Sequence, residues 1–267
     1  MATASKPAAK KAAPSPAAKK TSTAVAVKKP GGAVVDIAAM REALRQQAAG
    51  MGDRTQPGSG LKISTKGKRF TLPDGTKTTD PLSLVILDFI AINKFYQGKY
   101  DAENPEAPAC FAISVNPKNM IPSANSPVRQ SDACNGCPLN EFKSADNGKG
   151  KACKNGRMLA VLSPDADEDD DIWLIEVSPT GLKGFDNYVA GLARMGMTPM
   201  EMITTVSLDE AQDYPVLQFS NPVPNENLAV HFARQEEAKK LLATEPDVSS
   251  FKKAEPPPAK KQANARR

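Results

Sequence analysis

The chain has 267 residues, of which 24% are charged and 40% hydrophobic, enough for one packed domain with tails or for two small domains. No stretch approaches 18 consecutive apolar residues, so we expect no membrane-spanning helix and no membrane partner. The net charge of +5 is unevenly distributed: residues 1–33 carry seven lysines and no acid, and residues 251–267 carry six basic side chains and one acid. These two arms together carry +12, so residues 34–250 carry −7.

The two basic arms are predicted to be disordered. Residues 1–35 consist mostly of Ala, Lys, Pro, Ser and Thr, and residues 251–267 are rich in Pro, Ala and basic side chains. Such segments bury too little apolar surface to offset the entropy lost on ordering. The arms are interpreted either as solubilising tethers or as segments attracted weakly to nucleic acid. Residues 36–60 are predicted to form a helix capped by Asp36, followed by a glycine-rich linker.

Strand signals dominate from residue 61 onward. The β-branched and aromatic run at 84–96 favours a long strand, although periodicity alone does not exclude a helix. Pro73 and Gly75 mark a turn, and the acidic run at 165–171 marks the tip of a hairpin. The predicted strands are 68–72, 84–96, 110–115, 158–162, 172–177, 202–208 and 216–219, with a helix at 182–192 that Ser178 and Pro179 would start, and a C-terminal helix over 225–250.

This order of elements predicts a mainly β fold of the α+β class. Several strands are followed by one helix and then by two further strands, which is the order of an OB-type barrel. We therefore expect an OB-like β-barrel domain over 61–224, with helices flanking it. The segment 116–157 would be an inserted loop between the second and third strands of the barrel.

The four cysteines predict a metal site. Cys134 and Cys137 form a C-x2-C knuckle, with Cys110 before it and Cys153 after it along the chain. Four thiolates match the tetrahedral ligand set of one structural zinc ion. The segment 116–157 is poor in apolar side chains, so a zinc clamp would supply the stability that burial does not. An iron–sulfur cluster, a redox pair and unrelated reduced thiols stay open as alternatives.

The sequence offers little that could support catalysis. The only histidine is His231, which excludes most triad and metalloenzyme chemistry. The stretch at 148–151 lacks the spacing of a P-loop, and the acidic run at 165–171 lacks the spacing and the glycine of an EF-hand. We therefore expect a binding protein rather than an enzyme.

Two segments combine basic and aromatic side chains. Residues 61–100 and residues 143–157 each carry a net charge of +4 within an otherwise acidic body. Single-strand binding uses cations along the phosphates and aromatic faces for the bases. The alternative is that the rings fill the core and the lysines form a solvated face. The candidate nucleic-acid contacts are Lys66, Arg69, Phe70, Lys94, Tyr96, Lys99, Tyr100, Lys149, Lys151, Lys154 and Arg157.

Parts of the sequence resemble those of bacteriophage proteins. The resemblance spans about 104–220 and is carried by residues 133–142 (ACNGCPLNEF), 148–155, 157–162 and 178–188. In outline the arrangement also resembles phage replication proteins that bind single-stranded DNA through an OB-fold with an inserted zinc loop. In that family the zinc ligands include a histidine, so a fourth cysteine would substitute for it here.

This resemblance implies non-specific binding of single-stranded DNA, rather than RNA, in phage DNA replication or recombination. It also implies replication or recombination proteins as partners and a location in the cytoplasm of the host cell, where thiols stay reduced. The alternative function is a zinc-containing protein-interaction or inhibitory factor acting on replication or host machinery. In that case the zinc loop and the acidic run would face a protein.

Overall fold

A computed structural model describes residues 61–98 and 106–251, which belong to the unit Pro57–Arg267. The predicted arm at 1–35, the helix and linker at 36–60, and residues 252–267 of the tail lie outside the described residues. The strands are β1 (Lys62–Ile63), β2 (Phe70–Thr71), β3 (Lys77–Thr78), β4 (Leu82–Phe95), β5 (Cys110–Ser114), β6 (Lys154–Leu162), β7 (Trp173–Val177), β8 (Met202–Leu208) and β9 (Leu217–Pro224). The helices are α1 (Leu182–Arg194), α2 (Leu228–Ala233) and α3 (Gln235–Leu242), with short 3-10 helices at Pro138–Asn140 and Pro199–Glu201.

The sheet is built around β4, whose 14 residues are long enough to border three other strands. One edge of β4 pairs with β6, and the other edge pairs first with β8 and then with β5. β7 extends the sheet beyond β6, and β9 extends it beyond β8, all in antiparallel pairs. β1 adds to β7 in parallel, and β2 and β3 form a separate hairpin. The sheet is curled into a half-barrel, so the prediction of an α+β, barrel-like fold is confirmed at this level.

Both faces of the sheet are covered, which explains why β4 is an almost continuous apolar run. On one face, here called the α1 face, strand side chains pack against helix α1. On the opposite face, here called the α3 face, they pack against Ala238 and Leu242 of α3. Buried residues of the α1 face include Leu84, Ile86, Leu159, Ile175, Phe185 and Val206, and those of the α3 face include Val85, Leu87, Ile92, Met158, Ala160 and Leu174.

The predicted turns and the first helix are found with small shifts. Gly75 takes a φ of 87° in the turn that joins β2 to β3, and Gly196 takes a φ of 74° just after α1. Only glycine adopts this backbone region without strain. Helix α1 begins at Leu182 with Gly181 as its N-cap. Ser178 instead accepts a turn hydrogen bond from Gly181, so the predicted start at 178 is three residues early.

The single C-terminal helix predicted over 225–250 is wrong, because α2 and α3 are separate short helices that meet at Arg234. The guanidinium of Arg234 donates hydrogen bonds to the carbonyl oxygens of Glu168 and Asp170, at 2.8 and 2.9 Å. The break therefore fastens the backbone of the acidic run to the helices. The acidic side chains of residues 165–171 are exposed to solvent.

His231 is fully buried where α2 meets the start of the acidic run. Its Nε2 lies 3.1 Å from the carbonyl oxygen of Ser163, and its Nδ1 lies within hydrogen-bonding distance of the Asn225 amide. Burial lowers the pKa of the imidazole below its usual value. His231 is therefore a packing residue with satisfied ring nitrogens. Among the described residues, none of the helices has the length and apolar character needed to cross a bilayer.

Candidate metal centre and nucleic-acid interface

All four cysteines of the chain line one small cavity beside β5. The cavity has a volume of about 20 Å³, and its wall also includes Phe95, Leu139 and Asn140. Each cysteine is a free thiol, so no disulfide links any pair. A cavity of this volume has room for about one water molecule. The cavity thus brings together four sulfur donors that are separated by up to 43 positions in the sequence.

The cysteines come from β5, from one loop knuckle and from the residue before β6, and hydrogen bonds fix the loops that carry them. Cys110 begins β5, and Cys153 directly precedes β6. Between them, Gly136 takes a φ of 77°, which closes the knuckle between Cys134 and Cys137. The backbone N–H groups of Cys134 and Cys153 donate to the carbonyl oxygens of Met120 and Leu139, at 3.0 and 2.8 Å.

The thiols influence one another electrostatically. The pKa of Cys153 is raised to about 12, first by burial and then by the charges of the other three cysteines, with a small opposing effect of Lys151. The pKa of Cys134 is also raised, mainly by burial, and is partly lowered again by a hydrogen bond with Asn93. Without a counter-ion, the thiols of Cys134 and Cys153 therefore stay protonated at neutral pH.

The four thiols are not arranged as the ligands of a metal ion in this structure. Within residues 61–98 and 106–251, no group of three or more His, Cys, Asp or Glu side chains is placed as a ready set of metal ligands. The shared cavity and the soft sulfur donor set fit zinc, whose bonds to sulfur are about 2.3 Å long. Closing the four sulfurs on one ion would therefore require side-chain rotation or a small movement of the knuckle.

Three lysines lie at one end of the α3 face, where Lys62 and Lys154 are exposed and the side chain of Lys94 is 13% exposed. We call Lys62, Lys94 and Lys154 the lysine patch. Lys94 and Lys154 face each other in the antiparallel ladder of β4 and β6, and like charges in directly opposite positions destabilise a sheet. The Nζ of Lys94 lies 2.6 Å from the Oε2 of Glu176, and the Nζ of Lys154 donates to the Lys151 carbonyl oxygen at 3.0 Å.

The electrostatics of the patch reflect this crowding. Burial lowers the pKa of Lys62, the positive charge of Lys94 lowers it further, and Glu176 opposes both effects. Tyr96 lies next to the patch and is 39% exposed. Burial raises the pKa of its hydroxyl, with a smaller lowering by Lys94. Positive charge is therefore concentrated at this end of the α3 face, with Glu176 as its acidic neighbour.

The other predicted contacts fall into three groups. Lys66 and Arg69 are exposed in the loop between β1 and β2. The Nζ of Lys68, in the same loop, donates a hydrogen bond to the carbonyl oxygen of Glu210. Lys149 is exposed and Lys151 is half-buried on the segment that carries the cysteines. Lys99 and Tyr100 lie outside the described residues.

Two of the predicted contacts need correction. Phe70 is 0% exposed within the core of the α1 face, so the prediction that its ring stacks on bases is wrong. Arg157 is paired with Asp186 of α1 at 3.3 Å, and its position in the ladder places it on the face opposite the lysine patch. It therefore does not belong to the same surface as Lys94 and Lys154.

Sequence reasoning missed Lys62, Glu176 and Phe142. Lys62 and Glu176 join the patch only through the register of β1, β7 and β6, which no local pattern encodes. The sequence could have indicated that Phe142 is exposed, because it is an aromatic residue in a polar, lysine-bearing segment with few apolar neighbours. Comparison of the chain with family models, with curated proteins and with solved structures finds no match.

Proposed function

We propose that this protein binds single-stranded DNA without strong sequence preference, in phage DNA replication or recombination, through an OB-type half-barrel that a structural zinc ion stabilises. The observation that carries the proposal is the lysine patch, in which Lys62 and Lys154 are exposed, beside the exposed aromatic side chain of Tyr96. Cations that follow the phosphates and rings that stack on bases are the two requirements for binding single strands.

The strand order supports the OB assignment. β4, β6 and β7 are consecutive neighbours in the sheet, and β8 returns after α1 to lie on the other side of β4. The spatial order β8-β4-β6-β7 is that of a Greek key, and β9 adds a fifth strand. Three strands, a helix and two strands in a Greek-key arrangement are the pattern of an OB-fold. In this assignment β5 and the cysteine-bearing loop form one insertion between the first and second strands of the barrel, rather than between the second and third as the sequence predicted.

The position of the lysine patch agrees with this assignment. OB-folds bind oligonucleotides on strands 2 and 3 and on the loops between strands 1 and 2 and between strands 4 and 5. Here those strands are β6 and β7, and those loops are residues 96–153 and 209–216. Lys154 lies on β6, Glu176 on β7, and the cysteines within or beside the first of these loops. Helix α3 packs elsewhere on the same face, and Lys62 and Lys154 are exposed at this end.

Zinc has a definite role in the proposal. The residues that would hold it are Cys110, Cys134, Cys137 and Cys153, because they share one cavity. The ion would fasten the long insertion to β5 and β6 and would take no part in chemistry.

The direct test is a fluorescence titration of the full chain with oligo(dT) at several salt concentrations. We expect binding at low salt that weakens steeply as salt rises, and preference over duplex DNA. Replacing Lys94 and Lys154 together by glutamine should weaken binding and make the plot of log affinity against log salt shallower by roughly 1.4, or 0.7 for each lost phosphate contact. Parallel titrations with oligo(rU) compare RNA with DNA.

The matched control for this test is the double replacement of Lys239 and Lys240 by glutamine. These exposed lysines lie on α3 and have the same total charge as the replaced pair. A general effect of net charge would appear equally in both variants. Failure of the wild-type chain to bind oligo(dT) at low salt would overturn the proposed function.

Glu176 provides a second test, because its carboxylate competes with phosphate for Lys94. The ion pair of 2.6 Å must open or be shared before a phosphate binds at that ammonium group. We expect Glu176→Gln to raise the affinity for oligo(dT) several-fold at constant salt. Glu237→Gln, which breaks the 2.8 Å ion pair with Arg234 on α3, should leave the affinity unchanged. Equal or weaker binding by Glu176→Gln would contradict the patch as the phosphate site.

The alternative, a zinc-containing protein-interaction or inhibitory factor, has one observation in its favour. An apolar groove of about 760 Å³ lies between β4, the 3-10 helix Pro199–Glu201 and α2, and Phe232 on its wall is 66% exposed. Such a surface is typical of protein contacts. Absence of DNA binding, together with a stoichiometric complex that resists nuclease, would favour this alternative.

A further inference from the structure

Phe142 is the most exposed aromatic side chain of the described residues, with 71% of its surface accessible. It lies on the cysteine-bearing insertion, directly after the 3-10 helix that follows Cys137. We propose that Phe142 is a base-stacking residue, which places one base of a bound single strand on the insertion itself. This inference rests on the proposed function and assigns it a specific residue outside the lysine patch.

The backbone on both sides of Phe142 is held in place. Lys143 takes a φ of 73°, which is unusual for a residue with a side chain. Its N–H donates to the carbonyl oxygen of Gly150 at 2.7 Å. The hydroxyl of Ser144 donates to the carbonyl oxygens of Leu139 and Glu141, and accepts a hydrogen bond from the N–H of Ala152. The ring is therefore presented to solvent by a fixed frame, which lowers the entropy cost of binding a base.

The charge around Phe142 suits a polyanion. Lys143 and Lys149 are exposed on the same loop, and Lys151 donates to the Asn140 side chain at 3.2 Å. The carbonyl oxygen of Lys151 in turn accepts the hydrogen bond from Lys154. Lys151 and Lys154 thus join the segment that carries Phe142 to the start of β6. A strand whose phosphates follow these lysines would pass the exposed ring.

The other exposed aromatic side chains have different surroundings. Phe232 shares its groove with Asp88 and Glu201, and Tyr214 follows Asp213 in the acidic β8–β9 connection. Negative charge at these positions repels phosphates. Phe142 itself follows the exposed Glu141, but Lys143, Lys149 and Lys151 outnumber Glu141 and Asp146 in its loop. Among exposed aromatic side chains of the described residues, Phe142 and Tyr96 therefore have the more basic surroundings. Phe232 is therefore a matched control, since it has the same ring and a similar exposure.

The test compares Phe142→Ala with Phe232→Ala in the full chain, using oligo(dT) and an oligonucleotide of the same length made of abasic sites. Loss of one stacked base should weaken oligo(dT) binding by Phe142→Ala roughly 5- to 150-fold. Binding of the abasic strand and the salt dependence should not change, because no phosphate contact is removed. Phe142→Trp should restore binding, and Phe232→Ala should bind like the wild-type chain.

The outcomes separate this inference from the proposed function. Equal weakening of oligo(dT) and abasic binding by Phe142→Ala would assign the residue a structural role and overturn the inference. Unchanged oligo(dT) binding by Phe142→Ala, with a wild-type chain that binds, would overturn the inference and leave the proposed function standing. A wild-type chain that binds neither strand would overturn both.

Discussion

Cys137→Ser is expected to remove the bound zinc ion and to unfold the insertion while leaving the sheet intact. A serine hydroxyl is a poor zinc ligand, and structural zinc contributes about 10–16 kcal/mol to folding in zinc-finger peptides. We expect one equivalent of zinc in the purified wild-type chain and much less than one in the variant. Hydrogen exchange should then become fast over residues 116–153 and remain slow in β4 and β6.

We expect the insertion to depend on the metal, because little apolar surface is buried within it. Within 116–153, Met120 is the only large aliphatic side chain that is buried, and Ile121 and Phe142 are exposed. Met120 packs with Ala91, Ala112 and Cys134 in a cluster of only four buried residues. Burial on this scale offsets the ordering of about forty residues poorly. A metal cross-link between the cysteines would supply the stabilisation that burial does not give to residues 116–153.

Ser131→Ala provides the control for the cysteine variant. Ser131 lines the same cavity but has no sulfur, so its replacement changes the cavity wall without removing a ligand. It should retain zinc and the exchange protection of 116–153. A wild-type chain that is free of metal and yet protected throughout 116–153 would contradict the zinc proposal. Iron and inorganic sulfide in the purified protein would instead identify the site as an iron–sulfur cluster.

Much of the sheet could be predicted from local sequence, because its strands are marked by composition. The β-branched run at 84–96 corresponds to β4 at Leu82–Phe95, and the hairpin around the acidic run corresponds to β6 and β7. The two-residue strand β1 could not be predicted, because its pairing with β7 joins residues more than 100 positions apart. Neither could the break at Arg234, which depends on carbonyl oxygens of a distant loop.

The candidate site was predicted less completely than the fold, for a physical reason. The cysteine spacing indicated convergence directly, and all four thiols line one cavity. The nucleic-acid contacts depend instead on which face each strand residue occupies, and register alone decides this. Thus Lys94 and Lys154 meet on the α3 face, whereas Arg157 lies on the α1 face. Phe70 is buried for a similar reason, since its hairpin folds over the core of the α1 face.

Phe185→Ala is expected to be the most destabilising single substitution in the half-barrel. Phe185 is completely buried on α1, and its ring packs edge-on against Phe89 at 5.1 Å and Phe219 at 5.0 Å. Such a truncation leaves a cavity and costs about 3–5 kcal/mol. For a domain of this size we expect the melting temperature to fall by roughly 6–20 °C. Met195→Ala, at an exposed position just after α1, should change it by no more than one or two degrees.

The same variant separates the two faces of the sheet functionally. Phe185 fills the α1 face, whereas Lys62, Lys94 and Lys154 of the lysine patch lie on the α3 face. At a temperature where Phe185→Ala is still folded, its affinity for oligo(dT) should therefore equal that of the wild-type chain. A melting temperature close to that of Met195→Ala would contradict the packing of α1 against the sheet. Weakened binding by the folded variant would place the DNA on the α1 face, because the only contacts removed are on that side.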